Sequence, residues 1–138
     1  MDIQALVNAI GESGRLTRSR YQMTLGKMLR ALEGCDGDMA VVFHGADSGS
    51  PGHPHSYRGY YSDLSFETVA EPVTVAEFKK QCSKALGTTY EGYKGGDFIM
   101  AEDTPLWCAS YGRCGNAIID LSTVDGKVML FTKDVEGA

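Results

Sequence analysis

"AIIDLSTVDGKVMLFTK", residues 117–133, reads as two runs of strand-forming residues that turn at Asp125-Gly126. An Asp-Gly step between such runs is a strong short-range hairpin signal, because both central residues of the favoured two-residue turn take positive φ. A hairpin is antiparallel by construction, so this stretch sets the character of the sheet. Working back along the chain, "DFIMA" (97–101) and "PLWCASY" (105–111) are further short strands. "TVAE" (74–77) is a Ser/Thr-x-x-Glu capping box. It opens a helix with Val75, Phe78, Cys82 and Leu86 roughly along one side and Gly87 beyond its end.

The N-terminal half is read the same way. "DMAVVFHG" (38–45) predicts a short central strand, "ADSGSPGHP" (46–54) a loop rich in Gly, Pro and Ser, and "YYSDLSFETV" (60–69) another strand. Leu25, Met28, Leu29 and Leu32 share one helical face behind Thr24, with Gly34 placed to end the helix. Before it, Ile3, Leu6, Val7 and Ile10 fall at helical spacing behind Asp2, and "GESG" (11–14) stops that run. The order predicts an α+β fold, a largely antiparallel sheet with flanking helices. No linker or low-complexity tract divides the chain. It is expected to form a single domain over 1–138, with an N-terminal helix and connector at 1–23 and the α+β core at 24–138. The apolar face of "IQALVNAI" is marked for packing, either on a neighbouring protomer, which predicts a homo-oligomer, or on its own sheet.

Composition narrows the function. At 138 residues the chain is long enough for a core without staples, and its net charge of −5 gives it no general attraction for duplex DNA. A small phosphorylated ligand needs only a few cations focused in a cleft. The longest apolar runs are too short to span a bilayer and no basic n-region precedes one, so the expected location is cytoplasmic. The four cysteines form no Cys-x-x-Cys pair and are expected as thiols, Cys82 in the core. Zinc held by Cys108 and Cys114 with His53 or His55 would match no usual spacing, and no metal or other cofactor is expected.

Three stretches repeat one combination: "SYRGYY" (56–61), "EGYKGGD" (91–97) and "SYGRCGN" (110–116) each join Tyr, a basic residue and Gly. A tyrosine face stacks on a base, arginine forks onto phosphate oxygens, and glycine lets backbone N–H groups approach an anion. Tyr and Gly are common in β proteins, and Gly supplies 17 residues here, so one such cluster means little. Three of them in a chain holding 13 Lys and Arg point to ligand binding. Catalysis has weaker support. "HPH" (53–55) has no second His-x-Ser/Thr partner motif of the kind two-histidine phosphoesterases use. No Gly-x-Ser-x-Gly elbow, Walker loop or His-Glu-x-x-His occurs, and the expectation is a protein that is not an enzyme.

The runs "PHSYRGYYSDL" (54–64), "TVAEF" (74–78), "ALGTTYEGYKGGDFIM" (85–100), "DTPLWCASYG" (103–112) and "GNAI" (115–118) together resemble the phage-encoded Thoeris anti-defence proteins of the first type. The similarity spans roughly residues 24–120. It implies a sponge that sequesters, without cleaving, the cyclic ADP-ribose isomer made by TIR-domain enzymes, and in some members the cyclic trinucleotides of CBASS. It also implies assembly from dimers into a larger homo-oligomer, such as a hexamer, inside the infected bacterial host. By position, Arg58 and Arg113 would contact phosphate, Phe98 and Trp107 would stack on adenine, and Asn116 would make a polar contact. Tyr57, Gly59 and Lys94 complete the expected ligand set. Two other readings stay open: a phosphodiesterase using His53 or His55 on such a signal, and a protein-binding inhibitor of a host factor.

Overall fold

A computed structural model describes residues 17–44, 49–57, 60–92, 95–110 and 113–135, with backbone alone at 110, 113 and 114. The expected N-terminal helix at 2–14 lies outside the described residues. The architecture is α+β, as the sequence predicts. Among the described residues, two helices, α1 (Leu25–Glu33) and α2 (Val75–Ala85), and a helical stretch at 17–21 accompany nine strands. The strands are β1 (Ala40–His44), β2 (Ser50–Ser56), β3 (Leu64–Val69), β4 (Val73–Thr74), β5 (Thr89–Glu91), β6 (Asp97–Ile99), β7 (Leu106–Ser110), β8 (Arg113–Val124) and β9 (Lys127–Asp134).

Seven strands form one sheet in the order β2-β3-β7-β8-β9-β1-β4, and β5 pairs with β6 in a separate ribbon. Neighbours in the large sheet are antiparallel except β3 with β7 and β1 with β9, which are parallel. The hairpin turns where the sequence places it. Asp125 and Gly126 have φ of 50° and 75° between Val124 and Lys127, the positive pair of a type I′ turn. Thr74 caps α2 by accepting from the Glu77 N–H at 3.2 Å, and Thr24 caps α1 by accepting from Lys27 at 3.3 Å.

One core joins these elements. Leu25, Met28 and Leu32 of α1 and Val75, Phe78 and Cys82 of α2 bury their faces against Val41, Phe66, Leu106, Ile118 and Leu130 of the sheet. Phe66 and Phe78 meet edge to face with ring centroids 5.1 Å apart. Ala85 takes the inward place the sequence reading gave Leu86, which ends α2 at the surface. Burial pushes the Cys82 thiol far above its ordinary range, which keeps it a neutral core residue. Among the described residues no helix is long and apolar enough to cross a membrane.

Three local expectations are corrected. Residues 50–54, read as loop, are part of β2, where Pro51 and Pro54 are accommodated by a register shift between them against β3. The strand expected from Tyr60 begins only at Leu64, because 60–63 form a turn closed by Asp63 N donating to Tyr60 O at 2.8 Å. The connector before α1 contains helical residues 17–21.

The two ends of the seven-stranded order lie close together. Ser50 at the start of β2 donates from Oγ to Val41 O of β1 at 2.7 Å and accepts from Val73 N of β4 at 3.2 Å. Gly49 beside it has φ of +99°, and a Cβ there would sit 2.7 Å from Val69 O, so only glycine fits. The buried hydroxyl thus fastens the sheet to itself. Ser50→Ala is expected to lower stability by about 1–3 kcal/mol, the cost of leaving buried backbone groups without that partner. Urea denaturation checks it, and a loss below a few tenths would mean the sheet ends are held by other contacts.

Candidate functional site

β7 shows the pleat plainly. Leu106 and Cys108 face the main core, so Trp107 between them points to the opposite face of the sheet. There it forms a second, smaller buried cluster with Tyr57 and Ala117, its partner across β8. The Trp107 indole and Tyr57 ring are stacked in parallel, with centroids 4.4 Å apart and planes at 5°. Tyr60 leans on both rings at 5.8 and 6.2 Å. The Arg18 guanidinium lies over the Tyr60 ring, 3.8 Å from its centroid.

Asp63 underlies this aromatic column. Its carboxylate is 0% exposed and accepts from Arg18 Nε at 2.7 Å, Arg18 Nη2 at 2.9 Å and Trp107 Nε1 at 2.8 Å. Its backbone closes the loop that runs from Tyr57, with Tyr57 N donating to Asp63 O at 2.9 Å. Ser56 Oγ ties the same loop by donating to Tyr61 O at 2.5 Å. Arg18 comes from the helical residues 17–21, and the backbone after them is fixed in the sheet. Met23 N donates to Ile118 O at 2.7 Å, Leu106 N donates to Met23 O at 2.9 Å, and Gln22 Nε2 donates to Leu106 O at 2.8 Å.

The three Tyr-cation-Gly clusters, far apart in sequence, meet here. Tyr57 of the first accepts at its hydroxyl from Gly115 N of the third at 2.6 Å. Tyr61 of the first packs against Phe98, which follows the second, with centroids 6.0 Å apart. Gly92 of the second is so close that a Cβ would lie 2.8 Å from Phe98 Cε2 and 3.4 Å from Tyr61 Cδ1. Gly92 N donates to Gly96 O at 2.9 Å, closing the turn over Gly95 and Gly96, whose φ values are 95° and 90°. Tyr90, paired with Phe98 across β5 and β6, has its phenol raised above 10, first by burial and then by Cys82.

The expected ligand residues fall in different settings. Tyr57 and Trp107 are stacked on each other and buried, with Trp107 only 1% exposed. Asn116 is buried opposite Cys108, so the pleat turns it away from the Trp107 face. Phe98 is half-buried against Tyr61 and the edge of the main core. Within one chain, therefore, neither Phe98 nor Asn116 shares the surroundings of Trp107. Arg58, Gly59 and Lys94 lie outside the described residues, and of Arg113 only the backbone, opposite Ser110, is described. Arg18, Asp63 and Tyr61 are participants that the expected site set omits. Arg18 is one of three arginines in "RLTRSRY", and nothing in the local pattern selects it.

The histidines of the phosphodiesterase reading lie elsewhere. His55 is exposed on β2, with Nε2 3.4 Å from Glu67 Oε1. His53 lines an open groove of about 490 Å³ at the other end of β2, with Pro51, Val69, Val73, Glu71 and Glu77 among its walls. Two carboxylates on its walls disfavour an anionic nucleotide there. Comparison of the chain with protein-family models, curated proteins and solved structures gives no match.

Proposed function

We propose that the protein binds cyclic nucleotide immune signals and withholds them from their effectors without cleaving them. The observation that carries this reading is that the first Tyr-cation-Gly cluster touches the other two, Tyr57 at Gly115 beside the buried aromatic stack and Tyr61 at Phe98 and Gly92. Each cluster alone is an ordinary β-protein feature; together their described residues put aromatic rings and glycine backbone side by side. The resemblance to Thoeris anti-defence proteins supplies the ligand class, a cyclic ADP-ribose isomer and cyclic trinucleotides. It also supplies the setting, the cytoplasm of an infected bacterium, and an assembly of dimers. Depleting a signal requires a Kd well below its concentration. Nanomolar binding, about −12 kcal/mol, is within reach of a few arginine-phosphate contacts and base stacking in an enclosed pocket.

The test separates binding from turnover. The protein is incubated with the cyclic ADP-ribose isomer or a cyclic trinucleotide, freed of unbound ligand and heat-denatured, and the supernatant is weighed by mass spectrometry. Intact ligand at near-stoichiometric yield is expected, and the same yield from His53→Ala/His55→Ala. Recovery of linearised product from the wild type but not from the double variant would replace this reading with the phosphodiesterase. A wild type that retains no ligand and co-purifies with a host protein would favour the inhibitor instead.

A further inference from the structure

The open groove of about 490 Å³ beside β2 lies at the seam where the two ends of the seven-stranded order approach each other. β2 lines it through Pro51 and His53, the connection from β3 to β4 through Val69 and Glu71, and α2 through Glu77 and Gln81. These walls are preset. Pro51 and Pro72 fix their own φ angles, and Ser50 Oγ joins β1 to β4 next to them through Val41 O and Val73 N. Gly52 runs so close to β3 that a Cβ there would lie 2.8 Å from Val69 Cγ1. The groove shares no residue with the buried cluster around Trp107.

Glu71 and Glu77 are exposed on the groove, and no Lys or Arg is among the residues that line it. Val69 and Val73 are half-buried and leave part of their apolar surface to it. The groove thus offers carboxylates to a cationic head and apolar surface to an alkyl stem, the two needs of a lysine or arginine side chain. It is open to solvent, and an exposed ion pair contributes little alone. A single small amine would stay largely hydrated there. A chain that lays two cationic side chains and an apolar residue between them along the groove makes several contacts at once. We propose that this groove docks an extended basic peptide segment of a partner protein through Glu71 and Glu77. The proposal does not depend on the nucleotide reading.

The probe is a fluorescein-labelled, terminally blocked peptide, Arg-Ala-Val-Ala-Arg, followed by fluorescence anisotropy. Glu71→Gln/Glu77→Gln removes both groove charges while keeping side-chain size, and glutamine at 77 still suits the capping box, so the fold is retained. Glu33→Gln/Glu91→Gln changes two exposed acids outside the groove and alters the net charge equally; it is the control. The control is expected to bind within about twofold of wild type, and the groove variant at least about tenfold more weakly. A peptide with citrulline for both arginines, which keeps the shape without the charge, should lose at least about tenfold on wild type. Equal weakening in the two double variants overturns the proposal in favour of diffuse attraction between opposite net charges. Undiminished binding of the citrulline peptide overturns recognition by the carboxylates. Displacement by free arginine at a concentration near the peptide's own Kd makes this a small-cation site instead. No rise in anisotropy up to about 1 mM wild-type protein overturns the docking site outright.

Discussion

Arg18→Met is expected to lower the unfolding free energy by about 3–5 kcal/mol, and Asp63→Asn by only about 1–3 kcal/mol, when each is measured by urea denaturation. The two residues form one pair, yet they are unequal. The Arg18 side chain is 16% exposed and the Asp63 side chain 0%. Without the carboxylate, the guanidinium can turn toward water and recover much of its hydration. Without the guanidinium, the carboxylate remains sealed beneath Tyr57, Tyr60 and Trp107. Asparagine at 63 also keeps an oxygen for the Trp107 N–H, whereas methionine at 18 offers Asp63 nothing. Equal losses for the two variants would show that the pair is solvated in solution, and a larger loss for Asp63→Asn would reverse the argument.

The second large effect concerns affinity. Arg58→Ala and Arg113→Ala are each expected to weaken binding of a cyclic trinucleotide by about 2–4 kcal/mol, roughly thirtyfold to nearly a thousandfold. The two arginines belong to clusters that are tied together where the Gly115 N–H donates to the Tyr57 hydroxyl. Arg→Lys should also weaken binding, because the ammonium loses the bidentate geometry. The cyclic ADP-ribose isomer should be less affected if Phe98, Trp107 and Asn116 hold it. Within one chain Trp107 and Asn116 are buried on opposite faces of the sheet, so such a pocket would need these side chains to rearrange. Surface ion pairs would give only about 0–1 kcal/mol. Calorimetry on the two alanine variants decides between them, and unchanged affinity for every cyclic nucleotide tested removes both residues from the site.

What was legible in the sequence was local. The Asp125-Gly126 turn, the Thr74 cap and the inward face of α1 each depend on residues a few positions apart, and each is found where the pattern puts it. β2 was hidden because Pro51, Gly52 and Pro54 carry every mark of a loop. Only pairing with β3, through an irregular register, makes them a strand. The clusters were legible as composition, but their meeting was not, since it depends on the parallel placement of β3 beside β7. Asp63 was the least visible. In "YYSDL" it falls inside a stretch read as strand, and nothing nearby in the chain announces that Arg18 and Trp107 will enclose it.

The parallel pairing of β1 with β9 has a consequence for synthesis. Val41 to His44 pair with Val128 to Phe131, so β1 must wait for residues made 87 positions later. Until those residues leave the ribosome, β1 has only the two residues of β4 beside it and one open row of backbone groups. Contacts between such distant segments slow folding, because a long loop must close before they form. A message cut short before codon 128 would therefore yield a chain with an open, apolar edge at "AVVF", suited to aggregation or proteolysis, rather than a smaller working protein.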